Sequence, residues 1–298
     1  MKHWKPAVIA ALWSGALYAA PMPVVASFSI LGDVAQQIGG ERVAVQSLVG
    51  ANQDAHAYNL TSSDIKKIRE ARLVLLNGLG LEKAELQRAV KQSKVASAEA
   101  TAGIKPLAAD EHHDEHGDDH DHDHGEFDPH GWNDPVLMQR YAANVAIALI
   151  KADPAGSRYY QQRFKDYQNV LNQLNNYANQ QFGAVAPAKR KVLTGHDSFA
   201  YLGKRYQVKF ISPQGVSSEA EPSARQIAAI MRQIKAENVK AVFTENIKDG
   251  RMIARIAKET GVKVSGGLYA DALSSGPPPG TDADMFRYNV RVVTPAMK

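Results

Sequence analysis

The 298-residue chain contains ten histidines and no cysteine. Any transition-metal site it builds must therefore use imidazole and carboxylate, the donors that suit zinc, copper, iron, nickel and manganese, rather than thiolate. Seven of the ten histidines fall in one stretch, DEHHDEHGDDHDHDHGEFDPHGW, Asp110 to Trp132. Its first part, Asp110 to Glu126, alternates His112, His113, His116, His120, His122 and His124 with acids and has almost no apolar residue. Such a segment cannot bury enough surface to offset the entropy of ordering it, so it reads as a mobile loop that collects metal ions weakly. A dispensable solvated loop is the bland alternative. Histidine titrates near pH 6.5, so collection by the loop should fade in mild acid.

Four residues outside that loop could do sharper chemistry. His56 lies in GANQDAHAYNL, between a strand pattern and a helix pattern. His130 lies in DPHGWNDP, just before a helix start, and His196 in VLTGHDSFAYL, just after a strand pattern. Asp271, in VSGGLYADAL, also follows a strand pattern. Ligands of open parallel α/β sheets gather at the carboxyl ends of the strands, where His56, His196 and Asp271 would sit. Three imidazoles and a carboxylate make a four-coordinate shell that suits Zn²⁺. Each imidazole then needs its second nitrogen oriented, and Asp54, Asp128 and Asp197 are the nearby candidates. Taken singly, a loop histidine is more often a solvated side chain than a ligand, and the dispersed spacing matches no local zinc motif.

The elements that must position these residues alternate in type. PVVASFSIL, RVAVQSLV and RLVLLNG read as buried strands, as do KVLTG, QVKFIS, KAVFTE and VKVSGGL in the second half. TSSDIKKIREA carries a capping box, Thr61 with Asp64, and SARQIAAIMRQIKAE is a second helix between strands. This grammar predicts an α/β chain with two lobes, each a parallel sheet flanked by helices. Between the lobes, Asp134 and Pro135 have N-cap and N1 character for a first helix. A stripe at Tyr160, Phe164, Tyr167, Leu171, Leu174 and Ala178 predicts a long, rigid connecting helix over 154–183. The expected divisions are an N-terminal lobe over 21–153 and a C-terminal lobe over 184–298, with SSGPPPGTDAD an irregular loop of the latter.

A hydrophobic fraction of 44% supports real cores. The formal net charge of +4 and the lack of a long basic run weigh against a nucleic-acid partner. Lys2 and Lys5 followed by the apolar AVIAALWSGALY read as a cleavable secretory signal over 1–20. With no cysteine to carry a lipid, the expectation is a freely diffusing periplasmic protein.

Three blocks then carry a family likeness. LVGANQDAHAYNLTSSDIKKIREARLVLLNGLGLE, DPHGWNDP and TGHDSFAYLGKRYQVKFISPQGVSSEAEPSARQI resemble, in order, the ligand motifs of zinc- and manganese-uptake solute-binding proteins, and MFRYNV resembles their C-terminal helix. The likeness covers essentially the whole mature chain. It implies one metal in a cleft between lobes, with His56 and His130 from the first lobe and His196 and Asp271 from the second. Histidine at 196 and a histidine-rich loop are features of the zinc type; the manganese type typically has glutamate at that position. The resemblance therefore implies high-affinity periplasmic capture of Zn²⁺, as transported ligand, by a monomer that hands it to an ABC-type permease, with a zinc donor or metallochaperone as a further partner. Gly131 and Asn133 depart from the family pattern and could loosen the surroundings of His130. The alternatives are a Mn²⁺ uptake protein of the same fold, an exported zinc hydrolase, which would need an open position on the metal for water, and a surface adhesin, which the lack of repeats disfavours.

Overall fold

The computed structural model describes residues 20–109, 126–276 and 280–298. Residues 1–19, where a leader is expected, the histidine-rich residues 110–125 and the three prolines at 277–279 lie outside the described residues.

The first lobe is a four-stranded parallel sheet of β1 (Met22–Phe28), β2 (Val43–Val49), β3 (Leu73–Leu76) and β4 (Ala96–Glu99), in the order β2-β1-β3-β4. Its helices are α1 (Ser29–Gly39), α2 (Ser62–Glu70) and α3 (Ala84–Ser93). Because β1 begins at Met22, cleavage of a leader before Ser27 would remove most of the strand. The strand expected to run on through Leu31 ends at Phe28 instead. Ser29, Ile30 and Leu31 open α1, because buried Ile30, Leu31, Val34, Ala35 and Ile38 recur at helical spacing, which overrides the local apolar run. The capping box of α2 is present in both directions.

Two helices follow. α4 (Pro135–Ala152) starts with Asp134 accepting from the Val136 N–H and Pro135 in the first turn, where its missing N–H costs nothing. After a 3-10 turn at Pro154–Gly156 comes α5 (Ser157–Gly183), whose 27 residues run about 40 Å. The predicted stripe is its buried face, joined by Phe182, with Phe164 partly buried.

The second lobe repeats the first: β5 (Lys191–Leu193), β6 (Lys209–Ile211), β7 (Ala241–Glu245) and β8 (Val264–Leu268) form a parallel sheet ordered β6-β5-β7-β8. Its helices are α6 (Ala200–Tyr206), α7 (Ala224–Ala236), α8 (Arg251–Thr260) and α9 (Asp282–Ala296). α5 packs against α1 and α4 on one side and α9 on the other. One apolar core therefore runs without a break from Phe28 and Leu31 through Tyr167 and Leu171 to Phe243, Leu268 and Met285. No described helix is long and apolar enough to cross a membrane.

Where α1, α5 and α9 meet, two acids face each other. The Asp282 N–H donates to Asp33 Oδ2 at 2.8 Å, and the Tyr167 hydroxyl donates to Asp282 Oδ2 at 3.0 Å. Burial, and then the Asp33 charge, push the Asp282 carboxyl up to about 7, against the lowering effect of the Tyr167 bond. An acid raised in this way keeps a proton that the unfolded chain gives up, so stability falls as pH rises from about 4 to 7 and the full cost is present above 7. Asp282→Asn should therefore raise urea stability at pH 8, by on the order of 1–4 kcal/mol at 1.36 kcal/mol per unit of pKa, and change it little at pH 4.5. Equal effects at both pH values would contradict this.

Candidate metal centre

Each lobe contributes two chemical groups. His56 sits on the turn after β2, and His130 on the segment that enters α4. His196 follows β5 and Asp271 follows β8. One ligand atom from each of the four lies within 4.8 Å of all the others, and all four residues are buried. His56 Nε2 is 3.1 Å from His130 Nε2 and 3.5 Å from Asp271 Oδ2. His130 Nε2 is 3.5 Å from Asp271 Oδ1, and His196 Nε2 is 3.0 Å from Asp271 Oδ2. A tetrahedral ion with bonds of 2.0–2.1 Å has ligand–ligand edges of about 3.3 Å. The four separations given lie near that value, and the whole set of ligand atoms stays within 4.8 Å.

The polar accounting points the same way. His196 Nε2 and both Asp271 oxygens are buried without a hydrogen-bond partner among the described residues. Buried polar atoms left unpaired cost on the order of 1–3 kcal/mol each, more when charged. A cation at their common focus would satisfy all of them at once.

Carboxylates behind the rings fix which nitrogen faces inward. His130 Nδ1 is 2.7 Å from Asp128 Oδ1, and His196 Nδ1 is 2.6 Å from Glu245 Oε2. With Nδ1 donating, Nε2 presents its lone pair to the centre and becomes a better ligand. Of the three aspartates expected to orient imidazoles, Asp128 does so. Asp54 instead caps the His56 turn, its Oδ1 accepting from the N–H groups of His56 and Ala57. The carboxylate on His196 is Glu245 and not Asp197. Glu245 Oε1 also accepts from the Gly195 and His196 N–H groups at 2.9 and 3.2 Å. A Cβ on Gly195 would lie 2.9 Å from Glu245 Oε2, so glycine is what lets the carboxylate come this close.

The two residues that depart from the family pattern do not loosen His130. Gly131 is buried against Tyr141, and Asn133 Nδ2 donates to the Ser198 carbonyl in the other lobe at 2.9 Å. Between them Trp132 packs on Phe28 and His130, and its Nε1 donates to the Ala270 carbonyl, next to Asp271, at 2.8 Å.

Electrostatics separate the histidines. Burial, with further lowering from the His130 and His196 charges, takes His56 down to about 4 in spite of Asp271. Burial pulls His196 the same way, but Glu245 and Asp271 outweigh it and raise the imidazole well above its usual range. Asp271 would be raised by burial, yet the imidazoles, His196 first, hold it well below the ordinary carboxylate range. The centre is thus an anionic focus in a nitrogen-rich shell. The six histidines from His112 to His124 lie outside the described residues, so none of them is placed relative to it.

The sequence matches the family described as ZnuA, zinc-uptake complex component A, periplasmic, across residues 24–296. It is 32% identical over 287 residues to the manganese-binding lipoprotein MntA of Bacillus subtilis, spanning 93% of this chain and 90% of that protein. It is 30% identical over 258 residues to the iron-binding protein YfeA of Yersinia pestis, spanning 86% and 80%. Among solved structures, the periplasmic zinc-binding protein TroA of Treponema pallidum superposes with a TM-score of 0.85 at 25% identity, spanning 93% of this chain and 99% of that one. The family model, these relatives and the shared two-sheet fold agree: the chain belongs to the ZnuA family of periplasmic metal-binding components of ABC metal importers.

Proposed function

We propose that this protein captures Zn²⁺ through His56, His130, His196 and Asp271 and delivers it to the permease, without catalysing a reaction. The observation that carries the reading is the donor set: three imidazole nitrogens and one carboxylate within 4.8 Å of one another, with two of the rings backed by carboxylates. Nitrogen-rich, four-coordinate shells suit zinc, whereas manganese favours more oxygen and higher coordination. A fourth protein ligand also fills the position that a catalytic zinc would keep for water, which argues against the hydrolase.

Manganese is the second reading, and the relative at 32% identity favours it, since its name is that of a manganese-binding protein. That name also calls it a lipoprotein, which stands against the diffusible form expected from a sequence without cysteine.

Dialysis against equimolar Zn²⁺ and Mn²⁺, followed by metal analysis, decides between the two. The same experiment on a variant lacking residues 110–126 tests the histidine loop as an accessory collector. Zinc at one ion per chain is expected in the variant, with additional weakly held zinc only in the wild type. Manganese in the tight site would overturn the zinc reading. Loss of tight binding on deletion would overturn the four-residue assignment.

A further inference from the structure

The two rims of the centre are built differently. On the His130 side, the bonds between lobes are buried: Trp132 to the Ala270 carbonyl, Asn133 to the Ser198 carbonyl, and the Tyr201 hydroxyl to the Asp128 carbonyl at 2.8 Å. Behind them lies the Arg205–Asp134 ion pair, and the core continues across both lobes. On the His56 side, the second lobe holds the turn at two points: at its start the Asn52 N–H donates to the Leu273 carbonyl at 2.8 Å and Asn52 Oδ1 accepts from Asn246 Nδ2 at 3.1 Å, and at its His56 end Ser218 reaches Asp54. The Ser218 hydroxyl donates to Asp54 Oδ2 at 2.5 Å, while Asp54 Oδ1 holds the His56 N–H at 2.9 Å. Ser218 is itself held from its own lobe, its carbonyl accepting from Gln214 and Lys248. Lys83 reaches Glu219 at 2.7 Å beside it.

Exposure is also one-sided. His56 is 7% exposed, while His130, His196 and Asp271 are at 0%, so His56 is the ligand nearest to solvent. The flank of that turn borders a cavity of about 260 Å³, lined by Ala55, Tyr58, Leu60, Leu81 and Leu86, which leaves the turn room to move within its own lobe.

We infer that the His56 turn is the gate of the centre and that the Ser218–Asp54 hydrogen bond is its latch. The ion leaves when that bond breaks and the turn lifts His56 away, while His130, His196 and Asp271 keep their places. Ser218 touches no ligand atom; it is a positioning residue that acts through Asp54 on the backbone of His56. This rests on the metal-capture reading above.

The test is the rate of Zn²⁺ release into excess chromogenic chelator by stopped flow, for wild type, Ser218→Ala and Ser218→Thr. A hydrogen bond to a charged group sets the scale of the effect, about tenfold to a hundredfold faster release for Ser218→Ala. Ser218→Thr keeps the hydroxyl and should return most of that. The Co²⁺ spectrum of the loaded alanine variant should match that of wild type, since the four ligands are unchanged. Hydrogen exchange on zinc-loaded wild type gives a second reading that needs no variant: the amides of His56 and Ala57 should open faster than those of residues 131–134. A wild type that cannot hold Zn²⁺ against the chelator overturns the capture reading. A tight-binding wild type whose alanine variant releases no faster, or whose 131–134 amides open first, overturns the gate alone.

Discussion

Asp271→Asn should weaken Zn²⁺ binding by about a hundredfold to several thousandfold. Asp271 is the one anionic ligand of the four, it is fully buried, and its oxygens lie 3.0–3.5 Å from the three imidazoles. Breaking a buried charge pair by removing one partner costs about 3–5 kcal/mol, and each 1.4 kcal/mol is tenfold in affinity. Asparagine keeps the shape and one weak oxygen donor but gives up the charge that offsets the ion. Titration against a competing chelator measures the change, with circular dichroism to show the fold intact. A folded variant within tenfold of wild type would mean that Asp271 is not a ligand.

The second large effect is on protons. His196 is raised well above the usual range, so in the metal-free protein it is a cation at neutral pH, held between Glu245 and Asp271. Only the neutral ring can bind metal through Nε2, so the ion must displace a proton. About one proton should leave per Zn²⁺ bound near pH 7, and affinity should rise tenfold per pH unit until the pH passes the raised pKa of His196. His56, lowered to about 4, is already neutral there and adds a second proton only in strong acid. Calorimetry in buffers of different ionisation enthalpy counts the protons; a count near zero at pH 7 would contradict the His196–Glu245–Asp271 arrangement. Linkage gives the corresponding sign for stability without metal. A histidine raised on folding stabilises below its unfolded value of about 6.5, and that contribution is lost as pH rises through the folded value. The metal-free protein should therefore weaken in mild alkali, where the loaded form binds best.

The four converging residues stood out as candidates because each borders an element whose pattern is visible without a structure, and the family resemblance joined them into one ligand set. Strand runs ahead of His56, His196 and Asp271, and the Asp134–Pro135 helix start after His130, place them at one edge of the sheets. Glu245 was not legible. It lies 49 residues beyond His196 and reads as the polar end of a strand, and only the pairing of β5 with β7 brings the two together. Among the candidate aspartates the sequence left the choice open, because adjacency to a histidine does not say whether a carboxylate meets the ring, as Asp128 does, or the backbone, as Asp54 does. β4 gave no signal, since Ala96, Ser97, Ala98 and Glu99 form a mostly exposed edge strand with no apolar alternation. α1 was hidden by the apolar run that precedes it, although its buried positions keep helical spacing. The cross-lobe bonds of Trp132, Asn133 and Ser218 depend on how the lobes close, which local pattern does not encode.

The continuous core alters the picture of release. Lobes that share buried side chains from Phe28 to Met285 resist being prised apart as rigid halves, whereas the His56 turn is held across the lobes by a few hydrogen bonds, those of Ser218 to Asp54 and of Asn52 to Leu273 and Asn246. The histidine-dense stretch is expected to collect ions weakly, leaving the tight site to four residues drawn from both lobes.

The most direct measurement is zinc K-edge X-ray absorption on the protein lacking residues 110–126, loaded with one equivalent of Zn²⁺. The expected result is a four-coordinate shell of about three imidazole nitrogens and one carboxylate oxygen at about 2.0 Å. A shell with one imidazole or none, or a six-coordinate shell of oxygens, would contradict the assignment of His56, His130, His196 and Asp271 as the ligands.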